Sequence, residues 1–362
     1  MGVIQVQENL ECYVRRIVPR DETCYQNART RWDKIAKPLH SLGLLEDAIA
    51  EIAGMTRSAH VHLDKTALII CCADNGVVEE GVTQTGQDVT AIVTGNFTRG
   101  NACSCLMAEC CKMDVFPVDL GVVGSLKDLG TKYPLRSEKI AHGTKNLAKE
   151  PAMTREEAER AVLVGMKMVR ECKEKGYQLL ATGEMGIGNT TTSSAVVSVL
   201  LGKEPEEMTG RGAGLTDSGL RKKVQVIRQA ISLHQPDASD GIDVLAKVGG
   251  FDLAGMAGVF LGGALYHIPV VIDGFISAAA ALLAAALCPA AKDYMIASHA
   301  SAEPAAKTVL QALGKRPVIQ ADMCLGEGTG AIAIVPLLQM ASSVYENMST
   351  FQENEIEEYK PL

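Results

Sequence analysis

Apolar residues recur along this chain with two alternating periods. Between Arg31 and Met55, Ile35, Leu39, Leu42, Leu45, Ile49 and Ile52 fall three or four positions apart, which predicts a helical stripe. Pro38 and Gly43 interrupt that stripe, so two helices joined at a bend are expected, with residues 1–54 helical overall. The turn between them, Lys37 to Gly43, reads either as a plain junction or as something more specialised. Thr66 to Ala73 is instead a continuous apolar run, the pattern of a strand covered on both faces. It stops at Asp74-Asn75-Gly76. From Asp88 the helical period returns through Ala91, Ile92, Val93, Phe97, Cys105 and Leu106, predicting a long, largely buried helix with breaks near Gly95 and Gly100. Val115 to Leu120 is a second short strand, in which Pro117 argues against a central place in a sheet. Residues 127–151 are polar and glycine-bearing, an excursion with little regular structure.

Thr154 followed by Arg155-Glu156-Glu157 is a helix start, and the helix should run to Lys175 and stop at Gly176. Tyr177 to Thr182 then feeds a glycine-rich turn, from which a helix runs over Ser193 to Leu201. Later helices are expected at Leu220 to Ile227, Leu253 to Leu265, Ala278 to Leu287, Ala305 to Leu313 and Ala331 to Met348. Pro269 to Phe275 is a short strand ending in an acidic turn, and the polar residues 352–362 should fray. Strand, loop and helix thus alternate, with Asp74, Glu184 and Asp273 at strand ends. That order defines an α/β fold, a doubly wound (Rossmann-like) parallel sheet.

Composition agrees with this picture and trims the possibilities. Of 362 residues, 47% are hydrophobic and only 22% charged, as in a well-buried globular protein. A net charge of -8 argues against a nucleic-acid partner, since phosphate contacts need clustered Lys and Arg. No stretch reaches the ~20 apolar residues of a membrane span. The opening Met1-Gly2-Val3-Ile4-Gln5 lacks the features of a secretory signal, so a cytoplasmic, reducing setting is expected. The spacings of Cys71, Cys72, Cys103, Cys105, Cys110 and Cys111 match no usual zinc or iron–sulfur pattern. They read as small buried hydrophobes, with no metal or cofactor expected.

The candidate chemistry centres on Ala181 to Thr192. Gly183, Gly186 and Gly188 allow a tight turn and close approach to a ligand. Thr190, Thr191 and Thr192 offer N-cap hydroxyls. A strand, a glycine turn and a helix N-terminus make an anion site, phosphate above all, because N–H groups and the positive dipole end point the same way. An ordinary α/β turn is the alternative, and the stretch is neither a Walker loop nor a dinucleotide fingerprint. A nicotinamide-dependent oxidoreductase fails on that spacing and on the missing acid about 20 residues beyond it. Two glutamates stand among glycines. Glu327, in Gly-Glu-Gly-Thr-Gly, fits a general base better than a cap. For Glu184, in Gly-Glu-Met-Gly, capping and ligand binding stay open.

Several strings together carry a family resemblance: Arg31 to Glu46, Ala73 to Val77, Gly183-Glu184-Met185-Gly186-Ile187-Gly188-Asn189-Thr190-Thr191, Val248 to Asp252, Asp273-Gly274-Phe275, Ser298-His299 with Ser301-Ala302-Glu303, and Leu325 to Gly328. Over residues 10–348 the chain resembles the nicotinate-nucleotide:dimethylbenzimidazole phosphoribosyltransferases. The resemblance implies transfer of the phosphoribosyl group of nicotinate mononucleotide to an aromatic base, releasing nicotinate and supplying the lower-ligand nucleotide of a cobamide. It implies Glu327 as the base. It also implies Glu184, Met185, Gly186, Ile187, Gly188, Asn189, Thr190, Lys223 and Ser301 around phosphate and ribose, with Asp252 and Asp273 in the same pocket. Asp74, Asn75, Thr85, Val93 and Leu325 fall on the acceptor side.

Departures from the family pattern bear on the acceptor. Asn75 stands where His is frequent, Thr85-Gly86 where Ser-Pro is frequent, and Val93 where an amide often meets the benzimidazole. Some relatives use phenol or p-cresol and work as unlike paired subunits, and the Val93 and Gly86 changes lean that way. A non-catalytic nucleotide-binding subunit is the competing reading, and Glu327 speaks against it. The resemblance further implies a dimer, of like or related subunits. A small helical domain is expected from residues 1–60 and 301–362, the latter carrying Glu327, beside a large α/β domain over 61–300.

Overall fold

The computed structural model describes residues 9–126 and 129–359. Six parallel strands form one sheet: β1 (Thr66–Ala73), β2 (Asp114–Gly121), β3 (Arg136–Ser137), β4 (Leu179–Met185), β5 (Val270–Ile272) and β6 (Met295–Ala297). Their order across the sheet is β3-β2-β1-β4-β5-β6. The chain therefore winds outward from β1 in one direction and from β4 in the other. The crevice outside the carboxyl ends of β1 and β4 is the switch point where doubly wound sheets bind ligands.

Every residue of β1 and β4 is buried, which is why both read as unbroken apolar runs. β4 continues three residues past the expected end at Thr182, pairing Gly183 with Ile70, Glu184 with Cys71 and Met185 with Cys72. Pro117 lies in β2, which is flanked by β1 and β3. The ladder to β3 starts only at Val118, so at Pro117 the outer side of β2 has no partner strand and the missing N–H costs nothing there. β6 is too short for periodicity to reveal.

Helix Arg155–Glu174 starts in a full capping box, Thr154 accepting from Glu157 N–H while the Glu157 carboxylate accepts in return. It ends as expected before Gly176, at a φ of 79°. The helix from Asp88 breaks at Gly100 but runs straight through Gly95, giving Asp88–Arg99 and Cys103–Cys110. Ile92 and Leu106, expected inside, are 56% and 54% exposed. The helical period fixes a face but not what covers it.

The N-terminal stripe likewise splits. Helices Glu22–Lys34 and Leu44–Thr56 flank an irregular link in which Leu39 is half-buried and Leu42 exposed. That link is organised by Lys37, which is buried, donates to Glu46 Oε1 at 2.6 Å and lies over the Trp32 ring. Both helices belong with helix Thr329–Asn347: Trp32 packs on Tyr345 with ring centroids 5.1 Å apart, and Arg31 Nε donates to Tyr345 O. The residues after 349 turn back rather than fray, with Tyr359 edge-on against the buried Phe351. The opening pentapeptide, the first two residues of the 127–151 excursion and residues 360–362 lie outside the described residues; the rest of the excursion is largely irregular, as expected. Of the six cysteines read as buried hydrophobes, Cys71, Cys72 and Cys105 are buried and Cys111 half-buried, but Cys103 and Cys110 are exposed, so that reading fails for these two. Among the described residues no helix is long and apolar enough to cross a membrane, and no group of three or more His, Cys, Asp or Glu could hold a metal ion.

Candidate active site

Loops leaving β1, β4, β5 and β6, joined by residues 211–215 and 324–327, enclose a cleft of about 310 Å³ at the switch point. Past the end of β4, helix Asn189–Leu201 starts immediately after Gly188, whose φ is 93°. The threonines at 190–192 are therefore inside the helix, not capping it, and Gly188 supplies no side-chain cap. This leaves the helix N-terminus facing the cleft with its dipole unneutralised. The Thr190 hydroxyl instead accepts from Lys223 Nζ at 2.7 Å, and Lys223 also donates to Gly210 O at 3.2 Å. Lys223 is buried, which lowers its ammonium to about pKa 8, with Glu303 pulling the other way.

Glu184 lies at the end of β4, 5% exposed. One carboxylate oxygen accepts from Asn189 Nδ2, and the other accepts from Glu327 N–H at 3.4 Å. Burial, with Asp252 and Asp273 nearby, holds its carboxyl well above the usual range. Glu184 thus joins the glycine turn to the loop that carries Glu327.

That loop is unusual backbone. Gly326, Glu327 and Gly328 have φ of 87°, 59° and 86°, three successive left-handed residues. Glycine accepts this without strain; Glu327 does not, and it persists only because its surroundings fix it. Asp273, buried at the end of β5, accepts from Gly330 N–H at 2.7 Å, Ala331 N–H at 3.0 Å and Gly328 N–H at 3.2 Å. A side chain from another strand therefore caps helix Thr329–Asn347, which has no cap of its own. Burial raises the Asp273 carboxyl, opposed by His299 and by these three amides. From below, a Cβ at Gly183 would come 2.7 Å from Glu327 O, so β4 must be bare there for the loop to sit. Glu327 itself is half-buried and raised by burial, an effect opposed by Ser104. A carboxylate at a cleft wall with its basicity raised can accept a proton from a bound acid.

Of the residues singled out in the sequence, Glu327, Glu184, Met185, Gly186, Ile187, Gly188, Asn189, Thr190, Asp273, Ser301, Thr85, Val93 and Leu325 line the cleft. Lys223 stands behind Thr190. Asp252, Asn75 and Asp74 lie one layer deeper. A Cβ on Gly186 would meet Asp252 Oδ2 at 2.8 Å and Asn75 Nδ2 at 3.0 Å, so these two side chains form the underside of the glycine turn. Asp74 accepts from Val123 N–H at 2.8 Å. Burial raises Asp252 to about pKa 7. Sequence reasoning gave no role to Ser104, Gln84, Arg211, His299 or Glu303. His299 and Glu303 stood in a quoted motif and Arg211 lies in a second glycine-rich stretch, Thr209 to Leu215, but nothing in the sequence gave Ser104 or Gln84 a part in the site.

A strand-end cleft with an open helix N-terminus, a buried lysine and a raised carboxylate has the parts to hold an anion and to accept a proton. A family model described as Phosphoribosyltransferase matches residues 17–356. The nicotinate-nucleotide–dimethylbenzimidazole phosphoribosyltransferase of Acetivibrio thermocellus is 50% identical over 331 residues, 91% of this chain and 93% of its own. That of Clostridium acetobutylicum is 46% identical over 354 residues, 98% and 99% of the two chains. The solved structure of the nicotinate-nucleotide–dimethylbenzimidazole phosphoribosyltransferase from Thermus thermophilus superposes with a TM-score of 0.86 at 40% identity, over 93% of this chain and 99% of that one. The chain belongs to the nicotinate-nucleotide–dimethylbenzimidazole phosphoribosyltransferase family and is a pentosyltransferase.

Proposed function

We propose that this enzyme moves the 5-phosphoribosyl group of nicotinate mononucleotide onto an aromatic lower-ligand base for cobamide nucleotide-loop assembly, with Glu327 as general base. The phosphate meets the open N-terminus of helix Asn189–Leu201 beside Thr190 and Lys223, and Ser301 and Glu184 face the ribose. The acceptor lies against Val93, Thr85 and Leu325, with Asp74 and Asn75 supporting that side from beneath. Its ring nitrogen forms the new bond to the anomeric carbon as the bond to the pyridinium nitrogen breaks. The electron pair of the broken bond stays with nicotinate, neutralising the pyridinium, and the acceptor's N–H proton passes to Glu327. The leaving group is already cationic, so positioning and a base suffice. The observation that carries this reading is the Glu327 carboxylate, held in a strained turn at the cleft wall facing the glycine turn of the donor side.

The test is nicotinate release with dimethylbenzimidazole as acceptor. Glu327→Gln should abolish it while nicotinate mononucleotide still binds. A variant that releases nicotinate at the native rate overturns the assignment. A phenolic acceptor is a second reading, favoured by Val93 on the cleft wall, which offers no hydrogen bond where an amide is frequent. Turnover of p-cresol would support it, and turnover of the benzimidazole alone would end it.

The same proposal extends to organisation: residues 1–60 and 301–362 act as a small helical domain that carries Glu327 against the large domain over 61–300. The contacts of Trp32 and Arg31 with Tyr345 support it. A cytoplasmic dimer, of this chain or with a related subunit, completes the proposal.

A further inference from the structure

Helix Cys103–Cys110 begins without a side-chain cap: its N-cap residue is Ala102. Ser104, in its first turn, is fully buried and lies 223 residues before Glu327 in the chain. Its hydroxyl donates to Glu327 Oε2 at 3.3 Å. The Ser104 N–H faces the same carboxylate, so the Glu327 side chain takes the place of the missing cap. The two residues are mutually dependent: a helix start that needs an acceptor and a carboxylate that needs a fixed orientation.

We propose that Ser104 is a positioning residue for the reaction, aiming the Glu327 carboxylate at the acceptor and favouring its ionised, proton-accepting form. This rests on the reading of Glu327 as the base. Of the groups around Glu327, Asp273 at the end of β5 and Glu184 on β4 are acids, the Cys105 thiol lies beside Ser104, and His299 and Arg211, the basic groups, line the same cleft. Each negative neighbour disfavours a further negative charge. Ser104 opposes them with a neutral donor pair at the positive end of a helix. Charge-assisted hydrogen bonds of this kind act on the ionised form of their acceptor, so removing one makes the carboxyl a weaker acid.

The direction of the effect follows. A base must be ionised before it can take a proton, so activity rises with pH through its titration. Without the Ser104 hydroxyl that rise moves to higher pH.

The experiment is the pH profile of kcat/KM for the acceptor in the native enzyme, Ser104→Ala and Ser104→Thr. Ser104→Ala should shift the acid limb up by about one pH unit, a rate loss of about tenfold below the limb. The loss should shrink at alkaline pH, the donor KM should not move, and Ser104→Thr should restore the native limb. If Ser104→Ala lowers the rate equally at all pH values, or raises the donor KM instead, the proposal is wrong. If the alanine variant does not fold, Ser104→Cys, a near-isosteric weaker donor, should show the same shift, and an unmoved limb overturns the proposal. A carbon-13 titration of labelled glutamate, assigned by its loss in Glu327→Gln, reads the carboxyl directly. Should Glu327→Gln stay active, the base assignment itself fails. Should it be inactive while Ser104→Ala keeps the native limb, only the role of Ser104 fails.

Discussion

The loops around Glu184 and Glu327 touch, yet they are held by different means. Glu184 sits on a strand whose every residue is buried, and its turn leads straight into a helix. Neighbours in the chain, the strand ladder and helix Asn189–Leu201, fix it locally. Glu327 sits in a left-handed turn with no ladder, fixed by Asp273, Glu184 and Ser104 reaching in from β5, β4 and helix Cys103–Cys110. On the proposed roles, the difference separates two tasks. A donor site benefits from rigid backbone amides, whereas a proton acceptor needs a side chain left partly free at the wall, with its environment supplied from outside. Both carboxyls are raised by burial, but Glu184 is buried while Glu327 is only half-buried.

The contrast can be broken most sharply at the two acids themselves. Glu327→Gln should cost about 10²–10⁴-fold in kcat, with donor binding intact by calorimetry. Glu184→Gln should weaken donor binding as well, and equal behaviour of the two variants would dissolve the distinction. Next in size is Asp273→Ala, which leaves Gly328, Gly330 and Ala331 N–H groups buried without an acceptor. A loss of about 1–3 kcal/mol in urea unfolding is expected, together with reduced turnover. Gly326→Ala tests the turn alone. A side chain at a φ of 87°, with its Cβ 2.5 Å from Glu184 Oε1, should cost about 1–2 kcal/mol and lower kcat more than donor affinity. Smallest is a pH effect on the donor side. Burial lowers Lys223 to about pKa 8, so its ammonium is charged below that value and neutral above it. The KM for nicotinate mononucleotide should therefore rise by a few-fold above pH 8, a rise that Lys223→Met should abolish by having a high KM throughout.

The same contrast explains what the amino-acid sequence disclosed. β1, β4 and the glycine turn were legible because each is contiguous: an apolar run, then glycines, then small helix formers. The boundary of the helix was missed by four residues, Asn189 against Ser193, because the threonines looked like caps when Gly188 already begins the turn. Glycines on both sides of Glu327 drew attention to its carboxylate, but neither to the left-handed turn they allow nor to what holds it. Asp273 was placed in the pocket by family resemblance; that it caps a helix over 50 residues away follows only from the fold. Ser104 was invisible, since its partner lies 223 residues further on. Ile92 and Leu106 counted as core by period, although among the described residues both stay exposed.

The separation of Ser104, Glu184, Asp273 and Glu327 along the chain also sets an order in time. In a sheet built wholly of parallel strands, no neighbouring pair forms by a simple hairpin, and each pairing waits for a crossover. The proposed proton acceptor is residue 327 of 362, so the glycine turn at 183–188 is made long before it. The turn at Glu327 is thus the last of these parts to be made, and Ser104, Glu184 and Asp273, all made before it, are the ones that reach in to hold it.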